Sequence, residues 1–151
     1  MSPVRAREMA QVLKKATTCM NCNKVLTSRY SFKYCSNACQ KNYQYIIFIE
    51  SWKNGKCNGV IGNTSLSISR HIKKYLLNKN NNKCEKCLWS GFNKFSNKSV
   101  LEINHIDGNA LNNSEINLEL LCPNCHSLTN NFRNLNRGKG RTHRSTKNHP
   151  R

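Results

Sequence analysis

Two histidines, His105 and His126, sit among two cysteine pairs, Cys84/Cys87 and Cys122/Cys125, and this group holds the chemistry-bearing residues of the chain. Hydrolysing a phosphodiester needs a base to activate water and a cation to stabilise charge on the phosphate and the departing oxygen. The two histidines can divide that work. His105 ends the run Leu101-Glu-Ile-Asn-His105 and is read as the base; His126 directly follows Cys122-Pro-Asn-Cys125 and is read as a metal ligand through one ring nitrogen. Four thiolates from two CxxC pairs close a tetrahedral Zn²⁺ site and leave no position open for substrate. The cysteines are therefore scaffold, and the catalytic cation is a second metal. One alternative stays open, in which His126 replaces a cysteine on that zinc.

These side chains need elements to place them. The 34 residues between Cys87 and Cys122 are long for a simple zinc ribbon but suit a strand, a loop and a second strand. After a loop with Trp89 and Phe92, a strand is expected over 99–106, with Asp107-Gly108-Asn109 as a hairpin turn in which Asp107 is a turn residue. Asn112, Asn113 and Ser114 continue the loop, Leu118–Leu121 is a short apolar stretch, and 126–135 is expected to be helical.

A second cysteine set precedes this segment. Cys19 and Cys22, a 12-residue loop with Arg29, Tyr30, Phe32 and Tyr34, and then Cys35 and Cys39 have the spacing of two knuckles sharing one Zn²⁺. Tyr43 to Trp52 is the most apolar run, and a helix there would align Tyr45, Phe48 or Ile49, and Trp52 on one face. The Gly- and Asn-rich residues 54–63 read as a loop or linker, in which Cys57 is an unpartnered thiol. From Ser65 to Asn78, Leu66, Ile68, Ile72, Leu76 and Leu77 oppose Arg70, His71, Lys73 and Lys74, an amphipathic helix with a basic side. Arg70, Lys73 and Lys74 fit a phosphate backbone and equally a solvated face; His71 reads as a surface residue.

The 151 residues carry 25 Lys and Arg against 7 Asp and Glu, a net charge of +18, which favours a polyanionic partner, nucleic acid first. No acidic residue follows Glu119, while Arg133, Arg137, Lys139 and Arg141 accumulate, a tail expected to add salt-dependent phosphate affinity. A hydrophobic content of 37% is low for a large core, so small stapled modules are expected. No stretch approaches a membrane span and residues 1–8 lack a signal-peptide core, so a cytoplasmic protein without a membrane partner is expected. Nine cysteines in a reducing compartment argue for metal rather than disulfides.

The segment from Cys84 to Asn134 resembles the HNH endonucleases, whose ββα-metal motif runs strand, loop, strand, helix. The resemblance implies a metal ligand at Asn104, the general base at His105, a central asparagine at Asn117 that fixes the loop and helps orient the base, and a helix ligand at His126. Cys35 to Cys39, the aromatic run and Trp52-Lys-Asn-Gly also look like the zinc-binding lead-in of small phage and bacterial members. One departure is Asn104, a neutral donor where the family commonly has Asp, His or Glu. Glu102 on the same strand face and Asn130 one helical turn after His126 are further candidates for the cation.

The expected class is α+β, built of small zinc-stabilised modules: an N-terminal four-cysteine zinc knuckle with a helix, then a treble-clef-like ββα-metal nuclease domain. The divisions are a basic extension at 1–18, the four-cysteine module and aromatic helix at 19–53, a linker and basic helix at 54–78, the nuclease domain at 79–135, and a basic tail at 136–151. The function implied is endonucleolytic hydrolysis of DNA, most naturally double-stranded, with two structural Zn²⁺ and a catalytic Mg²⁺ or Mn²⁺, as a monomer or dimer in a bacterial or phage-infected cell. Two rivals are an inactive zinc-containing nucleic-acid-binding protein, in which Asn104 fails to hold the cation, and a zinc-stapled adaptor that contacts protein through residues 43–52.

Overall fold

The computed structural model describes residues 18–27, 33–61 and 67–136. The expectations for residues 1–17, Arg29, Tyr30, Phe32, Ser65, Leu66, Arg137, Lys139, Arg141 and the rest of the tail lie outside the described residues. The chain divides into two compact units, 1–47 and 48–151.

In the first unit a tight turn carries Cys19 and Cys22. Cys19 N–H donates to Lys24 O (2.8 Å), Asn23 N–H donates back to Cys19 O (2.9 Å), and Asn23 takes a left-handed φ of 60° to close the turn. Ser36 Oγ accepts from Cys39 N–H (3.2 Å), capping the first turn of α1, Asn37–Lys53, so the second cysteine pair straddles a helix start. The helix ends at Lys53, and Gly55, with a φ of 69°, takes the left-handed position just past its C-terminus.

In the second unit the α1 end buries Ile49 and Trp52. The Trp52 ring meets Tyr75 edge-on at 5.7 Å, and at Gly59 (φ 73°) an added Cβ would collide with Ile72 and crowd Trp52, which is why glycine stands there. Helix α2 spans Arg70–Lys79 rather than beginning near Ser65. Ser69 caps it, accepting from His71 N–H (3.2 Å), and Ile68 is bridged to Val60, so the residue just before the cap is held in an extended pairing.

The sheet is a pair of antiparallel strands, β1 (Glu102–His105) and β2 (Leu118–Leu121), in a register that sets Glu102 opposite Leu121, Asn104 opposite Glu119 and His105 opposite Leu118. The expected strand over 99–106 is shorter because Ser99 bridges to Phe92 instead. Asp107-Gly108 does turn, with Gly108 at φ 75°, but it opens a loop running from Ile106 through a 3-10 turn at Glu115–Asn117 rather than a two-residue hairpin.

The expected helix over 126–135 is α3, Pro123–Ser127, followed by a 3-10 turn at Arg133–Asn136. Cys122 is its N-cap and Pro123 its first residue, so the helix starts before His126. It stops where Thr129 turns both its N–H (3.1 Å) and Oγ1 (2.8 Å) onto His126 O. Ile72, Leu76, Leu101, Leu120 and Leu121 form the fully buried centre, with α2 and α3 both packed on β2.

Glu115 binds α1 and α2 to the turn that feeds β2. Its Oε1 accepts from Tyr75 Oη and Lys79 Nζ, both at 2.7 Å, and Lys53 Nζ lies 3.5 Å from Oε2. Burial works to raise its pKa, but the bonds from Lys79 and Tyr75 prevail and hold it below the ordinary 4.5. A carboxylate depressed on folding stabilises fully above its unfolded pKa, and that stabilisation is lost as pH falls through the folded value. Glu115→Gln should cost about 1 kcal/mol at pH 7 and flatten the fall in melting temperature below pH 4.5. Thermal melts of both proteins from pH 3 to 7 check this, and parallel curves would contradict it.

Candidate active site

Two sets of four cysteines come together, Cys19, Cys22, Cys35 and Cys39 in one, Cys84, Cys87, Cys122 and Cys125 in the other, with the sulfurs of each set within 4.8 Å of one another. A tetrahedron of thiolates about 2.3 Å from Zn²⁺ places sulfurs roughly 3.8 Å apart. Observed separations are 3.6 Å for Cys22 and Cys35, 3.4 Å for Cys35 and Cys39, and 3.7 Å for Cys87 and Cys122. Disulfides would need about 2 Å.

The thiol electrostatics also suit a cation. Burial opposes ionisation of Cys19, yet backbone N–H groups of Cys35, Asn21 and Cys22 bring its pKa from 9.0 to about 6. Cys84 is brought to about 6 in the same way by Cys122, Cys87 and Lys86. Cys35, beside Cys39 and Cys22, and Cys125, beside Cys87 and Cys122, are pushed up to about 12 by their sulfur neighbours. A divalent ion taking all four sulfurs removes that conflict. Around the first set, Asn21 Nδ2 donates to Cys39 Sγ (3.5 Å) while its Oδ1 accepts from Asn42 Nδ2 (2.8 Å). Cys57 belongs to neither set and is a free thiol.

The second cysteine set is tied directly to β2. Glu85 N–H donates to Leu120 O (2.9 Å), and Glu85 Oε1 accepts from Leu120 N–H (2.7 Å) and Asn80 Nδ2 (2.8 Å). One residue between two cysteines of the set thereby covers the outer edge of β2, a contact that the CxxC spacing does not announce.

His105 ends β1, and its Nε2 lies 2.8 Å from Asn113 Oδ1. The orientation of that amide is determined by its other end: Asn113 Nδ2 donates to Asn58 O (3.0 Å), and a carbonyl can only accept. Oδ1 therefore faces the histidine, an arrangement that favours the tautomer with its proton on Nε2 and its lone pair on Nδ1. Asn113 is held in turn by Trp52, whose Nε1–H donates to its carbonyl at 2.7 Å. Asn131 Nδ2 donates to His105 O from the segment after α3.

Asn117 lies across the loop from His105. Its Oδ1 accepts from Asp107 N–H (3.0 Å), and its Nδ2 donates to Asp107 Oδ1 and Asn112 O, both at 2.8 Å. Asp107, expected to be only a turn residue, is a hub that also accepts from Asn109 N–H (2.8 Å) and Asn112 Nδ2 (2.7 Å). Burial tends to raise its pKa, but these bonds hold it below the usual value. Asn117 thus fixes the loop, while the contact to the histidine ring is made by Asn113.

His126 and Glu102 meet, with Nδ1 and Oε2 2.6 Å apart, and the ring stands edge-on to Phe132 at 5.2 Å. Asn104 is buried on the Glu102 side of β1, but its Nδ2 donates to Glu119 Oε1 across the ladder (2.7 Å). Asn130 is exposed in the turn beyond α3, so the expected one-turn relation to His126 does not hold, because the helix ends at Ser127. Arg70 and Lys74 are exposed on α2 and Lys73 is half-buried, while Arg133 stacks on Phe132 at 5.0 Å. Glu119, Asn113 and Trp52 are the site residues that sequence reasoning missed. Asn113 had only its place in an Asn-Asn-Ser loop to signal it.

Residues 84–132 match the sequence profile of the family described as HNH endonuclease. H-N-H endonuclease F-TflIV of Escherichia phage T5 is 42% identical over 74 residues, which take in 47% of this chain and 31% of the phage protein. The chain thus matches less than a third of that relative's length. No solved structure matches. Among the described residues, no helix is long and apolar enough to cross a membrane.

The purified chain should contain two zinc ions, one for each set of four cysteines. Cys84→Ser should lower the content to one and unfold the second unit, since a structural zinc contributes on the order of 10 kcal/mol to folding. Metal analysis and circular dichroism read both effects; a fully folded variant without the second zinc would overturn the scaffold role.

Proposed function

We propose that this chain, whose residues 84–132 match the HNH endonuclease family, is a metal-dependent endonuclease that hydrolyses phosphodiester bonds of double-stranded DNA in a bacterial or phage-infected cell. The observation that carries the reading is the tautomer lock on His105: Asn113 holds the Nε2 proton, so Nδ1 is the ring atom able to take a proton from water. That water attacks phosphorus in line, and the products are a 5′-phosphate and a 3′-hydroxyl. Asn117 keeps the loop after β1 from sagging away from the phosphate, through its bonds to Asp107 and Asn112.

His126 and Asn104 are the proposed holders of a Mg²⁺ or Mn²⁺ ion, which when bound neutralises charge on the phosphate and the leaving 3′ oxygen. The donor set fits this. With the Nδ1 proton of His126 held by Glu102, Nε2 presents its lone pair, the usual carboxylate–histidine arrangement behind a metal ligand. Glu102 then acts by orienting His126 rather than as a direct ligand. Asn104 donates to Glu119 through Nδ2, which leaves Oδ1 as its oxygen donor, with the Glu119 carboxylate supplying nearby negative charge. Arg70, Lys73, Lys74 and Arg133, with Arg137, Lys139 and Arg141 of the tail, would contact phosphates. An inactive binding protein is the second reading, favoured by the engagement of Asn104 with Glu119.

Incubation of supercoiled plasmid with the purified chain and Mg²⁺ or Mn²⁺ should yield nicked or linear DNA. His105→Ala should reduce cleavage by about 10²- to 10⁴-fold while DNA retention in a mobility-shift assay is unchanged. Equal cleavage by the variant would remove His105 from the mechanism, and an inactive wild type that still binds would favour the second reading. Asn113→Leu should lower kcat far more than it raises KM, with Asn113→Asp, which keeps the acceptor oxygen, restoring part of the loss. A change confined to KM would argue against the tautomer lock.

A further inference from the structure

Residues 92–99 form a small hairpin that neither the zinc-binding sets nor the His105 loop uses. The Phe92–Ser99 bridge closes its base, and Asn93 N–H donates to Lys98 O at 2.9 Å. Its tip is braced from within: Asn97 N–H donates to Asn93 O (2.8 Å), and Asn93 Oδ1 accepts from the N–H groups of both Phe95 (3.0 Å) and Ser96 (2.9 Å). On that braced tip Phe95 is 101% exposed and so has no packing partner among the described residues. Behind it Phe92 is 54% and Trp89 48% exposed, and the Trp89 indole lies so close over Gly91 that a Cβ there would collide with it.

The charge around this apolar ridge has one sign. No Asp or Glu occurs from Lys86 to Leu101, and Lys94 and Lys98 flank Phe95. Lys86 is matched by Glu119 at 3.8 Å, which leaves Lys94 and Lys98 without an ion pair among the described residues. A fully exposed aromatic ring on a backbone-braced tip, with a lysine on either side of it in the sequence, adds no packing to the fold among the described residues. Its complement is a partner with flat apolar faces spaced along a line of negative charge. Nucleic acid has that chemistry: bases stack on aromatic side chains whatever their sequence, and apolar wedges inserted at base steps unstack them.

We propose that the 92–99 hairpin is a base-stacking wedge, in which Phe95 inserts at a base step of the bound DNA while Lys94 and Lys98 contact the phosphates on either side. The inference rests on the reading of the chain as a DNA endonuclease and adds a contact separate from the proposed His105 and His126 chemistry. It supplies grip and local distortion without selecting a sequence, because every base offers a π face.

The test uses the full, zinc-loaded chain without Mg²⁺ or Mn²⁺, and a duplex substrate carrying 2-aminopurine at successive positions. Wild type should raise 2-aminopurine fluorescence at one step as that base unstacks. Phe95→Ala should abolish the rise and weaken binding roughly tenfold, with zinc content and melting temperature unchanged because the ring packs on nothing. Phe95→Trp should restore both. Replacing Lys94 and Lys98 together by Ala should lower the slope of log K against log salt by about 2 while leaving the fluorescence rise in place at low salt. Wild-type binding and unstacking by Phe95→Ala, or wild-type binding with no fluorescence change at any step, would overturn the wedge and leave the nuclease reading standing. A wild type that neither binds nor cuts DNA would overturn both.

Discussion

The gathering of Cys84, Cys87, Cys122 and Cys125 at one point is the constraint on which the second unit depends. Among the described residues, five fully buried aliphatic side chains are a small core for the elements they must unite, and two four-residue strands make a weak sheet by themselves. The gathering of the four sulfurs goes with Glu85 lying against the outer edge of β2 and with α3 starting at Cys122, which is at once a member of the set and the helix cap. From those two placements come the position of His126 on α3 and the register that faces Asn104 with Glu119. A metal held by all four thiolates would have no open position for substrate, yet the gathering of the sulfurs determines where His126 and Asn104 stand.

Polar side chains complete what the small core cannot. The loop between β1 and β2 has almost no buried apolar residue, and its shape is held by amides and one carboxylate: Asp107, Asn112, Asn113 and Asn117. Such a network is rigid only when every member is satisfied. Among the described residues, the buried amide oxygens Asn131 Oδ1 and Asn136 Oδ1 lack a partner, both on side chains whose nitrogens hold the loop from the far side, at His105 O and Gly108 O.

The amino-acid sequence exposed what spacing can encode. Paired cysteines a few residues apart announce themselves, and both sets assemble as their spacing requires. The ββα order of the 84–132 segment was legible from strand-like, loop-like and cysteine-rich runs in succession. Helix limits were less so: Ser69 and Cys122 each act as caps, and a cysteine of a four-sulfur set that is also an N-cap gives no capping signal of the ordinary kind. Cross-strand partners such as Asn104 and Glu119 depend on register, a property of two strands that neither reveals alone. The bond from Trp52 to Asn113 spans 61 positions and follows no periodic pattern, so only the folded chain discloses it.

That bond has a consequence for how such a segment travels between proteins. Residues 84–132 carry the family's signature, but the ring of His105 is aimed by Asn113, and Asn113 is seated by Trp52 and Asn58, both upstream of the signature. The cassette is therefore not self-sufficient. A recombination event that moved only the signature into a new host protein would transfer the histidines and cysteines and leave their aiming device behind. Inheritance of this site should run in blocks that start no later than the end of the aromatic helix.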